Sequence, residues 1–238
     1  MFTPENPAVD TRDDSLLADV PSEAEIIKLP IWEPYGLFQS LQRFRGVKTV
    51  HSADYVAANN SSWFSKVAAF VRGNFFVPDA RIFWIKPSVA FLEDFLKSNQ
   101  IHTIVTTGPP HSMHVIGLKL KQRNPSLKWL ADFRDPWSEW DLLDTLSLTA
   151  WARKKHQRLE KKVLQAADEV ITIASYHQKR LELLGGRPVH VITNGFDPED
   201  FVSIVHQRTD KFTLRHVGVV DELRDPWPIL EACRQLAL

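Results

Sequence analysis

Lys128-Trp129-Leu130-Ala131-Asp132-Phe133-Arg134-Asp135-Pro136-Trp137 is the stretch that decides the fold. It opens apolar, gathers two aspartates and an arginine within four positions, and stops at a proline. An apolar run that ends in a charge cluster and a breaker reads as a buried strand delivering polar groups to a rim. In open α/β sheets that rim, at the carboxyl ends of the strands, is where ligands sit. A second reading makes Asp132, Arg134 and Asp135 a local salt-bridged turn.

Outward from this strand the pattern alternates. Ser88 is expected to cap a helix over residues 88–99, with Val89, Leu92, Phe95 and Leu96 at helical spacing. Residues 101–106 read as a strand and 110–123 as a helix. Downstream, 150–167 read as a helix, 169–173 as a strand, 175–184 as a helix stopped by Gly185-Gly186, and 189–193 as a last strand. Strand–helix alternation with short connections predicts an α/β fold, a Rossmann-like parallel sheet flanked by helices.

The flanks are less regular. Residues 8–24 are polar, and Asp13, Asp14, Ser15 and Leu16-Leu17 suggest a short helix over a loop. Residues 25–30 form a short strand ended by Pro30. A helix over 62–76 carries Trp63, Phe64, Val67, Phe70, Val71, Phe75 and Phe76, interrupted by Lys66 and Arg72. Its aromatic face suits either core packing or docking on a membrane surface. Residues 1–197 are expected to form one domain, 198–210 a linker, and 211–238 the first strand and helix of a second. In that last helix Ile229, Leu230, Ala232, Cys233 and Leu236 share an apolar side.

Composition narrows the classes. The chain has 238 residues, 44% hydrophobic and 24% charged, enough for a substantial core. Lysine plus arginine and aspartate plus glutamate balance at 29 each, so no global field favours nucleic acid. Cys233 is the single cysteine, which excludes a disulfide framework and a zinc-ribbon site. No run of roughly 18 apolar residues is present, and the N-terminus lacks a signal-peptide pattern. A cytoplasmic setting is expected, with peripheral contact at the inner membrane face left open by the aromatic helix.

The unusual residues collect at strand ends. Thr107-Gly108-Pro109-Pro110-His111-Ser112 joins a strand to a helix. Glycine permits close backbone approach and proline suits the first helical turn, so the amides after it could receive a phosphate or other anion. The alternative is a well-made turn. His111 and His114 share a helix face but lack a third ligand nearby, so no metal is expected. Ser175 reads as an N-cap, and Thr193-Asn194-Gly195-Phe196-Asp197 closes the last strand, with a tight turn as its plain reading. Four successive strands thus end in polar or glycine-bearing segments on one edge. The helix over 150–167 holds Arg153, Lys154, Lys155, Arg158, Lys161 and Lys162 against Glu160, a solvated face or a surface for anionic lipid.

Together these residues resemble the N-terminal half of family-4 glycosyltransferases of the GT-B fold. The resemblance runs from Thr107 to His111 through Ile116-Gly117-Leu118, Asp132 to Trp137, Leu159-Glu160 and Ala167-Asp168 to Thr193-Asn194-Gly195-Phe196-Asp197. Phe2-Thr3-Pro4 is similar to the tail of the family's second strand, and His216-Val217-Gly218 to the first strand of its C-terminal domain.

The resemblance implies two facing Rossmann-like domains that transfer a sugar from a nucleotide-sugar donor to a saccharide or lipid-linked acceptor. No metal or other cofactor is expected. Arg134, Asp132 and Asp135 would be the catalytic group, a base needing hydrogen-bond reach of the acceptor hydroxyl. Gly108, His111, Ser112, Asn194, Gly195 and Gly218 would line the substrate site, and Arg224 would contact the donor phosphates. The family's glycine-rich first turn and its two-glutamate motif are missing from the sequence. An incomplete, inactive piece is therefore expected, with an apolar groove in its sheet through which it could self-associate. A nucleotide-sugar epimerase and a non-catalytic binding module of the same fold are the alternatives.

Overall fold

The computed structural model describes residues 1–7, 17, 19–33, 63–202, 210, 212–218, 220 and 225–236. The short helix expected near Asp13 and the donor-phosphate residue Arg224 lie outside the described residues. Residues 1–194 and 195–238 form two separate compact units.

In the first unit the strands are β1 (Phe2–Pro4), β2 (Ile27–Leu29), β3 (Thr103–Gly108), β4 (Lys128–Phe133), β5 (Glu169–Thr172) and β6 (His190–Val191). The helices are α1 (Trp63–Phe75), α2 (Ile82–Ser98), α3 (Ser112–Arg123), α4 (Ala150–Ala166) and α5 (Ser175–Gly185). β3, β4, β5 and β6 pair in that order, all parallel, and helices alternate with them along the chain. The expected Rossmann-like parallel sheet is thus the fold.

β4 is its buried centre. Trp129, Ala131 and Phe133 alternate along the strand and are at most 1% exposed, which packs one face of β4 into the core. Each large side chain buried this way contributes about 1.5–3 kcal/mol. α3 crosses close above, because Gly117 lets the Trp129 indole lie directly against the helix backbone. The Ala167-Asp168 segment braces the start of β4. Lys121 Nζ donates to both Asp168 carboxylate oxygens at 3.0 and 2.8 Å, and Trp129 N–H donates to Oδ2 at 2.7 Å.

Several elements depart from the expectation. α2 starts at Ile82, not at Ser88, and runs through Pro87. Trp84 and Ile85 are buried, so packing of the first turns outweighs the hydrogen bond lost at the proline. Ser88 is wholly buried in mid-helix and caps nothing. Residues 2–4, likened above to a strand tail, form a short strand parallel to β2. Phe2 anchors it by stacking on Trp84 at 5.0 Å and Phe91 at 5.9 Å. β1–β2 and β3–β6 are separate sheets, and Val105 on edge strand β3 is 64% exposed. A 3₁₀ turn, Asp141–Leu146, precedes α4.

In the second unit, a short 3₁₀ turn, Pro198–Phe201, occupies part of the expected linker, and the expected helix forms as α6 (Trp227–Leu236). The strand expected over 211–218 is not formed by its described residues. Phe212 and Val217 are 90% and 87% exposed, so the segment lacks the buried face that holds a strand in place.

Candidate functional site

The carboxyl ends of β3 and β4 and the segment after β6 bring Thr107, Asp132, Arg134, Asp135 and Asn194 to one rim. Thr107 and Asp132 are register partners in the parallel ladder, and Thr107 Oγ1 donates to Asp132 Oδ2 at 2.9 Å. Beyond the strand, Arg134 N–H donates to the Gly108 carbonyl at 3.1 Å, which carries the pairing one residue further. The exposed Arg134 side chain reaches across the edge, where Nη2 donates to Asn194 Oδ1 at 2.7 Å. Its other guanidinium N–H groups have no partner among the described residues. No ion pair links Asp132, Arg134 and Asp135 there, so the salt-bridged turn is not what forms.

Asp135 turns to an adjoining cleft of about 350 Å³, lined also by Pro136, Glu139, Glu160, Tyr176 and Arg180. Arg180 closes one side through a two-pronged pair with Glu139, at 2.7 and 2.5 Å. The rim therefore offers a guanidinium anchored on Asn194, with two carboxylates close to it along the chain. One carboxylate is tied to a threonine hydroxyl; the other faces open space.

Beneath the rim lies a buried aromatic and histidine layer. His111 stacks face to face on Trp137, centroids 4.9 Å apart and 2° from parallel. Trp137 Nε1–H donates to His156 Nδ1 at 3.1 Å. Indole only donates, so neutral His156 carries its proton on Nε2. One helical turn on, Glu160 Oε2 accepts Ser138 N–H at 3.1 Å. His156 and Glu160, four apart on the inward face of α4, thus hold the 134–138 loop from below.

His114 stacks on Phe133 at 4.3 Å, and its Nδ1 lies 2.9 Å from Thr106 Oγ1, which also accepts Trp129 Nε1–H at 2.9 Å. Burial pushes His111 down to about 3, His156 down to about 4 and His114 well below the usual imidazole value, so all three are neutral at physiological pH. Burial instead raises Glu160, opposed by the Ser138 hydrogen bonds.

These contacts correct the expected anion cradle. Ser112 is fully buried, and its N–H donates at 2.7 Å to Asp79 Oδ2, so the acceptor at the start of α3 is supplied by the chain itself. Asp79 also accepts Arg81 N–H at 2.9 Å, and burial raises its pKa against both bonds. His111, 3% exposed, belongs to the layer under the rim and does not face a ligand. Gly108 is required by its packing on His114, because a Cβ there would lie 2.7 Å from His114 Nε2. Gly195 and Gly218 belong to the second unit and are exposed there; Gly218 has a positive φ of 149°.

Sequence reasoning passed over Thr107, Trp137, His156 and Glu160 as site-building residues. Glu160, the lone acid in a strongly basic helix, was the one usable signal. Among the described residues no group of three or more His, Cys, Asp or Glu side chains is arranged to hold a metal ion. Compared with family models, curated proteins and solved structures, the chain matches none.

Proposed function

We propose that the chain is the acceptor-side domain, with the beginning of a donor-side domain, of a glycosyltransferase. It would move a sugar from a nucleotide-sugar donor to a saccharide or lipid-linked acceptor. The observation that carries this reading is the exposed Arg134 guanidinium, anchored on Asn194 at the carboxyl edge of a parallel sheet where Asp132 bonds Thr107.

Glycosyl transfer needs three things at such an edge. A base must take the proton of the acceptor hydroxyl as the new carbon–oxygen bond forms. The bond between the sugar and the diphosphate must break, leaving negative charge on the departing nucleotide. A donor fork must meet oxygens, and the unpaired N–H groups of Arg134 suit a phosphate or an acceptor hydroxyl. Asp135, facing the open cleft, is the better candidate base, because Asp132 already accepts from Thr107. Asp132 then orients the acceptor.

The test is release of nucleoside diphosphate from nucleotide sugars, with and without saccharide acceptors, by an enzyme containing this chain. Arg134→Ala and Asp135→Asn should each lower turnover about 100-fold or more, the range for a lost general base or charge-stabilising donor. Their unfolding free energies should stay within about 0.5 kcal/mol of the parent, as for surface changes. Full activity in both variants would remove the assignment. Saccharide binding without nucleotide release would identify a binding module instead.

A further inference from the structure

We propose that the cleft beside Asp135 is a subsite for a sugar unit that carries no phosphate or carboxylate. The cleft is bounded by the segment after β4, by α4 and by α5, and its volume of about 350 Å³ suits a mono- or disaccharide. Its wall has two characters. Pro136, Leu181 and Leu184 supply apolar surface, and Tyr176, in the first turn of α5 and 71% exposed, adds an aromatic ring open to solvent. Asp135, Glu139 and Glu160 supply carboxylates. A sugar presents the matching pair of surfaces: C–H groups that pack on an aromatic or aliphatic wall, and hydroxyls that donate hydrogen bonds.

The charge of the wall selects the ligand. An ionised carboxylate only accepts hydrogen bonds, so whatever enters must donate them. Asp135 has no hydrogen-bond or ion-pair partner among the described residues, which leaves both its oxygens for a ligand. Arg180, the cation of the described wall, already spends Nε and Nη2 on the two Glu139 oxygens at 2.7 and 2.5 Å. A phosphate or carboxylate would therefore meet repelling acids and a guanidinium already engaged. His177, also in the wall, keeps a buried Nδ1 with no hydrogen-bond partner among the described residues. A hydroxyl satisfies such an orphan in either tautomer, because it both donates and accepts. The role of this subsite as the acceptor's seat rests on the transfer reaction proposed above; the binding itself does not.

NMR titration of the full chain tests this. The probes are the methyl glycosides of glucose, galactose, mannose, rhamnose and N-acetylglucosamine, with glucose 6-phosphate and glucuronate as anionic counterparts. At least one neutral glycoside should saturate, and both anions should bind about tenfold more weakly or not at all. Tyr176→Ala should weaken the bound sugar about tenfold, whereas Tyr176→Phe, which keeps the ring, should retain it. Tyr176 is exposed, and unchanged circular dichroism would show that folding is retained. The proposal is overturned if none of the five glycosides saturates, if either anion binds as tightly as the best of them, or if Tyr176→Ala binds undiminished. Tyr176-dependent sugar binding without nucleotide release would leave the subsite standing and remove the transfer reading. Nucleotide release that Tyr176→Ala leaves unchanged would remove the subsite and leave the transfer reading standing.

Discussion

Adding one methyl group at Gly117 tests the tightest glycine contact among the described residues. A Cβ there would lie 2.5, 2.6 and 2.7 Å from Cε2, Nε1 and Cζ2 of Trp129, a rigid indole that is 1% exposed. Alanine is the better helix former by about 1 kcal/mol, so intrinsic propensity favours the substitution. Against it, overpacking a filled core costs about 1–3 kcal/mol. Displacing the indole also breaks the 2.9 Å bond from Trp129 Nε1 to Thr106 and leaves a buried donor unpaired, about 1–3 kcal/mol more. The balance is a net loss of about 1–5 kcal/mol, or roughly 2–20 °C in Tm for a chain of this size. Urea unfolding followed by tryptophan fluorescence measures it. Because the clash is with the ring itself, the loss should shrink in a Trp129→Leu background, a coupling that a double-mutant cycle reads directly. A Gly117→Ala variant as stable as the parent, or more so, would refute the packing of α3 on β4 described above.

Acid should weaken the fold. His111, His114 and His156 are held neutral by burial, so their share of stability is complete above the unfolded imidazole value near 6.5. It is lost as pH falls from there toward about 4 for His156 and about 3 for His111. Glu160 and Asp79 act oppositely, since burial raises both and protonation relieves them. His156→Gln should therefore remove part of the loss of urea midpoint on going from pH 7.5 to pH 5, and an unchanged pH dependence in that variant would contradict the buried layer. Asp79→Ala removes the acceptor for Ser112 N–H and Arg81 N–H, and should cost about 1–2 kcal/mol in the same assay. No loss there would mean that Asp79 does not cap α3.

From residue 101 onward, the sequence alone determined the order of strands and helices in the sheet, because apolar periodicity and turn chemistry are local. It also determined that polar groups gather on one edge, because parallel strands joined by crossover helices end on the same side. Asp132, Arg134, Asp135 and Asn194 were legible for that reason. Which polar groups face out and which turn inward was not. His111 follows β3 and Asp132 lies at the end of β4, yet one is stacked beneath the rim on Trp137 and the other bonds Thr107 upon it. Ser112 finds its carboxylate on Asp79, 33 residues away, a partner that no local spacing announces. The same distinction separates the two misread elements. α2 runs through Pro87 because Trp84 and Ile85 have a core to enter, whereas residues 212–218 have strand-like side chains but are all exposed. Local propensity proposes an element, and burial against a partner distant in sequence decides whether it forms.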